Sequence, residues 1–533
     1  MGTWRSETCT LVVMACRTYA QPCPGAASPI SCTDPDSIAR YLEDASGFTG
    51  TAEAVLLPEN EAEVSAILRE AQRTGTPVTV SGAGTGLTGG RVAQGGWVVS
   101  LERLNRIVDL AAGRARVQPA VLLKDLQAAA QAAGQFYPPD PTENTSSIGG
   151  NIATNASGSR SFKYGGTRRY VRRLCLVLPN GDRLELERGQ VHADSEHRFE
   201  IVLAGGRVCE LRLPQYAMPA TTKHSAGYYF APGMDLIDLF IGCEGTLGVI
   251  TEAEVDLLPW PGEVLGGVVF FAGEAAALDF AMRVRRLSRQ SNFAGPMQAR
   301  LIEFFDRNAL TLLRLHRYPE TPAAARAAVL LEQETGAGSL EDAAERWLEV
   351  IEQSAAEHGA ALLDDSWFAM SAAEREKFRD FRHAIALIVN ETARRNGFPK
   401  LATDQAVPVE RAAELLAFYY RELRALFGDC DPPRYAVYGH IGDAHLHVNM
   451  LPTDEASFRA AKALLLRFAE EAVRLGGTVA GEHGLGKAKL HLLKLQYPPE
   501  VIEAMRQIKL ALDPQDLLNR GNLFGSSSLL AVG

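Results

Sequence analysis

Two short segments carry the most informative grouping of chemically capable side chains in this chain. The first runs Tyr438-Gly439-His440-Ile441-Gly442-Asp443-Ala444-His445-Leu446-His447-Val448-Asn449, and the second is Gly481-Glu482-His483-Gly484. The apolar run over 435–438 reads as a strand that ends at His440, and Gly442-Asp443 is a turn signal. Beyond the turn, His445, His447 and Asn449 alternate with Leu446, Val448 and Met450, so on a strand those three polar side chains share one face. Residues seven apart on an unbroken strand face opposite ways. The turn is therefore what brings His440 back towards His447. Imidazole and carboxylate donors suit zinc, with iron or manganese as alternatives. Three protein donors leave a position open for substrate, as in catalytic rather than structural sites. Glu482-His483 sets a carboxylate beside an imidazole able to act as a base.

Such a constellation needs a scaffold, and the first half of the chain supplies a different kind of motif. A short strand is expected over 54–58, an amphipathic helix over 61–74 and a second strand over 77–80. That strand leads into Ser81-Gly82-Ala83-Gly84-Thr85-Gly86-Leu87-Thr88-Gly89-Gly90. Gly84, Gly86 and Gly89 make a literal GxGxxG, with Asp109 following, yet a dinucleotide fingerprint must open a helix. Here the loop continues through Gly95 and Gly96 into another strand over 97–101. It reads as a nest of backbone N–H groups for a pyrophosphate, without a helix dipole. A helix is expected over 121–133. Pro141-Thr142 then leads into a run of small and hydroxylated residues, Ser146-Ser147-Ile148-Gly149-Gly150-Asn151-Ile152-Ala153-Thr154-Asn155-Ala156-Ser157-Gly158. Such a run lets backbone approach a flat or phosphorylated ligand closely. A third cluster, Ile241-Gly242-Cys243-Glu244-Gly245-Thr246-Leu247-Gly248-Val249-Ile250, has the same character and ends in a strand. Pro259-Trp260-Pro261-Gly262 is a linker signal. Long helices are expected over 341–357, 371–396 and 499–512.

Length and composition agree with two such halves. The chain has 533 residues, 46% hydrophobic and 22% charged, which suits a soluble protein with real cores. A net charge of −10 without a basic stripe argues against nucleic acid as a partner. No apolar run is long enough to span a membrane. Cys9, Cys16, Cys23 and Cys32 follow no metal-binding spacing, and no signal peptide is evident before them. The remaining cysteines read as reduced thiols of a cytoplasmic protein, with peripheral association at the inner face of the cell membrane left open.

The three small-residue loops followed in order by the His, His and Glu-His motifs resemble the FAD-linked oxidases of the vanillyl-alcohol-oxidase type. Within that group the chain is similar to the D-2-hydroxyacid dehydrogenases: D-lactate dehydrogenase, D-2-hydroxyglutarate dehydrogenase and the flavin-binding component of glycolate oxidase. The resemblance covers roughly residues 36–524. It implies an α+β fold with an extension over 1–35, disordered by expectation, and a PCMH-type FAD-binding domain over 36–260. A substrate or cap domain over 261–524 follows, with its C-terminal stretch returning to the flavin domain. It further implies that 81–90 wraps the FAD pyrophosphate, that 141–150 and 154–158 line the flavin and ribityl chain, and that 244–250 holds the adenine side or the ring edge. The pyrophosphate loop has no His or Cys, so the FAD is expected to be non-covalent. His440, His447 and Glu482 match the zinc ligands of metal-containing members, His483 the base, and Arg382 the arginine aimed at the substrate carboxylate. Lys400 and Asn449 complete the expected site. The implied partners are a small 2-hydroxy acid and an electron acceptor (a quinone, a cytochrome or an electron-transfer flavoprotein); the oligomeric state is left open, a homodimer among the options.

The chain also departs from the family pattern. The usual Gly-Asp-Gly-Asn turn is Gly442-Asp443-Ala444-His445 here, so an additional imidazole faces the same way as His447. His224 stands where Asn is common, in a segment expected near the flavin ring. Leu518-Asn519-Arg520-Gly521 replaces Asn-Pro-Gly. Three other functions fit parts of the pattern: an ether-lipid-synthase-like flavin transferase, a zinc hydrolase built on His440, His447 and Glu482, and a non-catalytic flavoprotein subunit. The hydrolase leaves the three glycine-rich loops unexplained.

Overall fold

The helix Glu61–Thr74 begins and ends as its sequence dictates. Asn60 caps it by accepting the Glu63 N–H at 3.0 Å, and Gly75 closes it at a φ of 71°. Its Val64, Ile67, Leu68 and Ala71 face a core shared with Val78, Val99 and Leu518. The helix joins two parallel strands of a four-stranded sheet whose order is Ile30–Cys32, Ala54–Leu57, Trp97–Ser100, Val78–Ser81. Because Val78–Ser81 and Trp97–Ser100 run parallel, the glycine-rich connection between them leaves one end of the sheet and must return to the opposite end. It opens no helix. The computed structural model describes residues 16–17, 30–336, 338–359 and 361–525.

A five-stranded antiparallel sheet follows, in the order Arg183–Glu187, Val171–Val177, Val249–Asp256, Arg114–Val117, Ile107–Ala111. The helix Leu123–Ala132 packs on the same core. The small-residue run differs from the expectation of continuous loop. Ser147 accepts the Gly150 N–H at 3.3 Å and caps a short helix, Ile148–Ala153. Two glycines concealed it from a reading based on propensity. Asp109 lies exposed on an edge strand and does not line the cleft, so it is not the acidic partner of the GxGxxG. Of the expected extension, Cys16–Arg17 and Ile30–Cys32 form short strands beside Ile201–Val202 and Val55–Leu57. Apart from Cys16–Arg17, residues 1–29, Cys9 and Cys23 among them, fall outside the described residues.

Val264–Phe271 opens a seven-stranded sheet in the order Trp367–Ala369, Val264–Phe271, Ala327–Glu334, Ala299–Asp306, Tyr435–His440, His445–Met450, Leu401–Ala402. Its inner strands are buried along nearly their whole length because helices cover both faces, charged residues such as Glu303 and Glu334 included. Leu265, Val269 and Phe271 pack with Phe280 of helix Glu274–Gln290 and Trp347 of helix Leu340–His358. Val268 and Phe270 pack with Leu313 of helix Arg307–His316 and Phe381 of helix Ala372–Asn396. The chain then returns to the first half. Helix Pro499–Leu512 sends Val501, Met505 and Ile508 into the core that holds Phe199 and Leu211, and the Asn519 side chain accepts the Val80 N–H at 2.7 Å. No helix among the described residues is long and apolar enough to cross a membrane.

Candidate active site

The three small-residue loops converge on one cleft that is partly open to solvent. Of the expected cofactor residues, Gly82, Ala83, Gly84, Thr85, Gly86, Gly90, Ser146, Ser147, Gly149, Gly150, Thr154, Glu244, Gly248 and Ile250 line it. The others are placed differently. Ser81 lies beneath the loop, its hydroxyl taken by the Arg91 guanidinium at 3.1 Å. Leu87 points outward, 44% exposed. Asn155 turns away at a φ of 49° and accepts the Arg168 N–H. Gly158 packs against Asp140, whose carbonyl oxygen would lie 1.8 Å from an added Cβ. Pro141, Thr142 and Ser157 belong to that same connection and do not reach the cleft wall. Small residues in this run serve chain packing as well as ligand approach, and composition cannot separate the two uses.

Arg91 was not foreseen. Its guanidinium lies under Gly84, where an added Cβ would come within 2.2 Å of Cζ, and it bonds the carbonyls of Glu43, Gly82 and Arg40. A cation thus backs the glycine loop. Asn519, Asn522 and Cys243 also line the cleft. The Cys243 thiol is engaged by the Phe240 carbonyl at 3.2 Å. Glu244 accepts the N–H groups of Leu485 and Gly486 at 2.8 and 2.7 Å, and burial pushes its carboxyl up to about 7. Two buried polar atoms of the cleft wall, Ser146 Oγ and Asn151 Nδ2, have no hydrogen-bond partner. A bound polar cofactor is what such atoms lack, so these residues fit FAD.

The second cluster is a hairpin plus a loop. Tyr435–His440 pairs with His445–Met450 in a register that sets His440 opposite His445 and Tyr438 opposite His447. Ala444 takes the left-handed conformation at a φ of 52° to close the turn. Tyr438, His440, His445, His447 and Asn449 therefore share one face, as the alternation predicts. Two glycines make room for the rings. An added Cβ at Gly439 would come 2.9 Å from His447 Cδ2, and one at Gly481 would come 3.0 Å from the His445 ring.

Ligand atoms of His440, His445, His447 and Glu482 lie within 4.8 Å of one another. The surroundings assign the tautomers. Nδ1 of His440 faces Glu303 at 2.6 Å and Nδ1 of His447 faces the Thr403 carbonyl at 3.1 Å, so each donates outward and turns an Nε2 lone pair inward. His440 Nε2 lies 3.1 Å from Glu482 Oε1. Lone pairs converging on a carboxylate fit a cation. Burial pushes the Glu303 carboxyl up, but His440 and Arg382 outweigh this and hold it at about 2. Burial keeps His447 far below the ordinary imidazole range, hence neutral and available as a ligand.

His483 links the two sites. It lines the cleft, and its ring stacks on His447 with centroids 5.7 Å apart. Asp404 accepts the backbone N–H groups of Glu482 and His483 at 3.2 and 3.0 Å and lies 3.3 Å from His483 Nδ1. Burial lowers the His483 ring to about 4 against the pull of Asp404. Arg382, 11% exposed, pairs with the far oxygen of Glu303 at 3.5 Å. Lys223 was missed by sequence reasoning. Its fully buried ammonium contacts Glu482, the Gly158 carbonyl at 3.0 Å and Asp443 at 3.6 Å. No periodicity or motif distinguishes it from a surface lysine. Lys400 precedes the strand Leu401–Ala402 and has no ion pair or hydrogen bond among the described residues. His224 is absent from the cleft wall. It bridges Thr478 at 2.8 Å and Tyr497 at 3.0 Å, under the loop that carries Glu482 and His483.

Comparison with known proteins agrees with this geometry. A family model described as "FAD binding domain" matches residues 52–187, and one described as "FAD linked oxidases, C-terminal domain" matches residues 273–523. A D-2-hydroxyglutarate dehydrogenase of Xanthomonas citri pv. viticola is 32% identical, over 92% of this chain and 93% of the relative. The glycolate oxidase subunit GlcD of Bacillus subtilis is 30% identical over 90% of this chain and 91% of its own. A D-lactate dehydrogenase of Anaerostipes hadrus is 30% identical over 91% and 92%. Among solved structures, 4-ethylphenol oxidase from Gulosibacter chungangensis superposes with a TM-score of 0.63 at 18% identity, covering 94% of this chain and 95% of that one. An alkyldihydroxyacetonephosphate synthase has a TM-score of 0.63 at 15% identity, covering 92% and 81%. At these identities the two structures speak for the fold alone.

Proposed function

We propose, from the premise that this chain belongs to the FAD-linked oxidase family, that it oxidises a small D-2-hydroxy acid to the 2-oxo acid with the help of a divalent cation. The observation that carries this reading is the position of His483, at the cleft wall and against His447. A substrate hydroxyl between the two sites meets a base on one side and the imidazole–carboxylate cluster on the other. Bound FAD supplies the two-electron acceptor, and a bound cation supplies Lewis acidity towards the hydroxyl oxygen.

The chain's own residues do the rest. His483, neutral at physiological pH, takes the hydroxyl proton on Nε2 while Asp404 holds the Nδ1 side. Arg382 binds the substrate carboxylate with the N–H groups that Glu303 and His383 leave free. Asn449 Nδ2, buried without a partner on the same face as His447, donates to a substrate oxygen. Arg91 and the N–H groups of the glycine loop hold the pyrophosphate. Lys400 makes no contact that supports a part in these steps. Electrons leave to a quinone, a cytochrome or an electron-transfer flavoprotein.

A panel of D- and L-2-hydroxy acids, mixed with the purified flavoprotein without oxygen, tests the reading through bleaching of the visible flavin absorption. Stoichiometric bleaching by at least one D-2-hydroxy acid is expected. No bleaching by any of them, in metal-replete protein, rejects it.

A further inference from the structure

We propose that His445 is a fourth protein ligand, so that the cation site consists of three imidazoles and a carboxylate rather than His440, His447 and Glu482 alone. The inference rests on the metal-assisted reading above. His445 is fully buried, and neither ring nitrogen has a hydrogen-bond partner. An imidazole in that condition has lost its hydration without replacement. What surrounds the ring indicates the missing partner. Asp404 Oδ1 lies 3.2 Å from Nε2, outside hydrogen-bond geometry, and Glu482 Oε1 lies 3.7 Å from Nδ1.

With Nε2–H on the Asp404 side, the Nδ1 lone pair faces the same carboxylate oxygen that His440 Nε2 faces. His445 thereby resembles His440 and His447 in setting an outer oxygen beside one nitrogen and turning the other inward, although its outer oxygen, on Asp404, stands outside hydrogen-bond geometry. A proton on one ring relieves a single contact. A cation satisfies all four donors, whose ligand atoms lie within 4.8 Å of one another. The absence of a side chain at Gly481 leaves the space the third ring occupies.

This assignment changes which ion can work. Four protein donors complete the tetrahedral shell that zinc takes in structural sites, with no position left for substrate. An ion that accepts five or six ligands keeps positions for the α-hydroxyl and carboxylate oxygens. The working ion is therefore Mn²⁺, Fe²⁺ or Co²⁺ in preference to Zn²⁺.

The test uses the FAD-loaded protein, stripped with a chelator and titrated with Co²⁺. Proton NMR of the Co²⁺ form shows one strongly shifted, exchangeable ring N–H signal for each ligating imidazole. Three such signals are expected, and two overturn the proposal. His445→Asn and His445→Gln are expected to keep FAD and to bind Co²⁺ about tenfold or more weakly. An unchanged Kd in both overturns it, and should either variant fail to fold, the signal count on the unaltered protein decides. Failure of the unaltered protein to bind Co²⁺ stoichiometrically rejects the metal-assisted reading itself, a result distinct from two signals in a protein that does bind.

Discussion

His483 and Arg382 are expected to fail in different ways. His483 faces both the cleft and His447, so His483→Ala should slow flavin reduction by about 10²–10⁴-fold while FAD stays bound. Single-turnover reduction under substrate saturation measures this, and a normal limiting rate removes the base assignment. Arg382→Ala should instead raise KM about tenfold or more, because a charge-assisted bond contributes roughly 1.5–3 kcal/mol. The Glu303 carboxylate would then lose one of its two partners and keep His440. An unchanged substrate dependence of the reduction rate would remove the clamp. Asp404 is a shared support, since it holds the backbone of Glu482 and His483 as well as the His483 ring. Both assignments thus depend on residues that never touch substrate.

At the scale of elements, the loop 481–488 is locked to the glycine-rich loop of the first half. The Thr88 carbonyl accepts the N–H groups of Lys487 and Ala488 at 2.9 and 3.0 Å, and Gly486 passes over it with a φ of 50°. An added Cβ at Gly486 would lie 2.2 Å from the Thr88 oxygen, a backbone atom with nowhere to go. Left-handed strain of about 1–2 kcal/mol adds to the clash. Gly486→Ala should therefore force two cleft walls apart and lower the flavin-to-protein ratio that survives gel filtration. Gly113→Ala is the control. It has a φ of 79° but nothing within 4 Å of the new Cβ, so it carries the strain without the clash and should retain FAD fully. Equal flavin loss in the two variants would contradict this account.

Two predictions belong to the whole molecule. The proposed cation site would join the hairpin of the second half to a loop braced against the first, so a chelator should remove most activity and also lower the melting temperature. Mn²⁺ or Co²⁺ should restore both, more fully than Zn²⁺. Active protein without a stoichiometric divalent ion would refute this. The second concerns His224, whose ring ties Thr478 to Tyr497 and which burial lowers to about 4 from an ordinary 6.5. Below pH 6.5 the unfolded chain takes up a proton there that the folded chain refuses until about pH 4. Its contribution is thus complete above pH 6.5 and lost progressively on acidification, by about 2 kcal/mol after allowance for partial exposure of the ring. His224→Asn should flatten the fall in melting temperature between pH 7 and pH 4.5, and an unaltered profile would show that the ring does not report this burial.

Local signals were sufficient for much of this protein. The helix Glu61–Thr74, the strand pair around the glycine loop and the shared face of His440, His447 and Asn449 follow from periodicity, caps and turns, which act over a few residues. The order of the three loops and the His and Glu-His motifs was enough to recognise the FAD-linked oxidase family. Tertiary structure decided which residues of a small-residue run face the cleft, as Thr154 does, and which, like Asn155 and Gly158, turn to pack the chain. It alone brought Arg91 beneath Gly84, Lys223 against Glu482, Asp404 behind His483 and Glu303 between His440 and Arg382. Those partners lie tens to hundreds of residues apart, or depend on the rotation of a single side chain. No local pattern carries such information, because burial and the pairing of charges are settled only when distant elements close on one another.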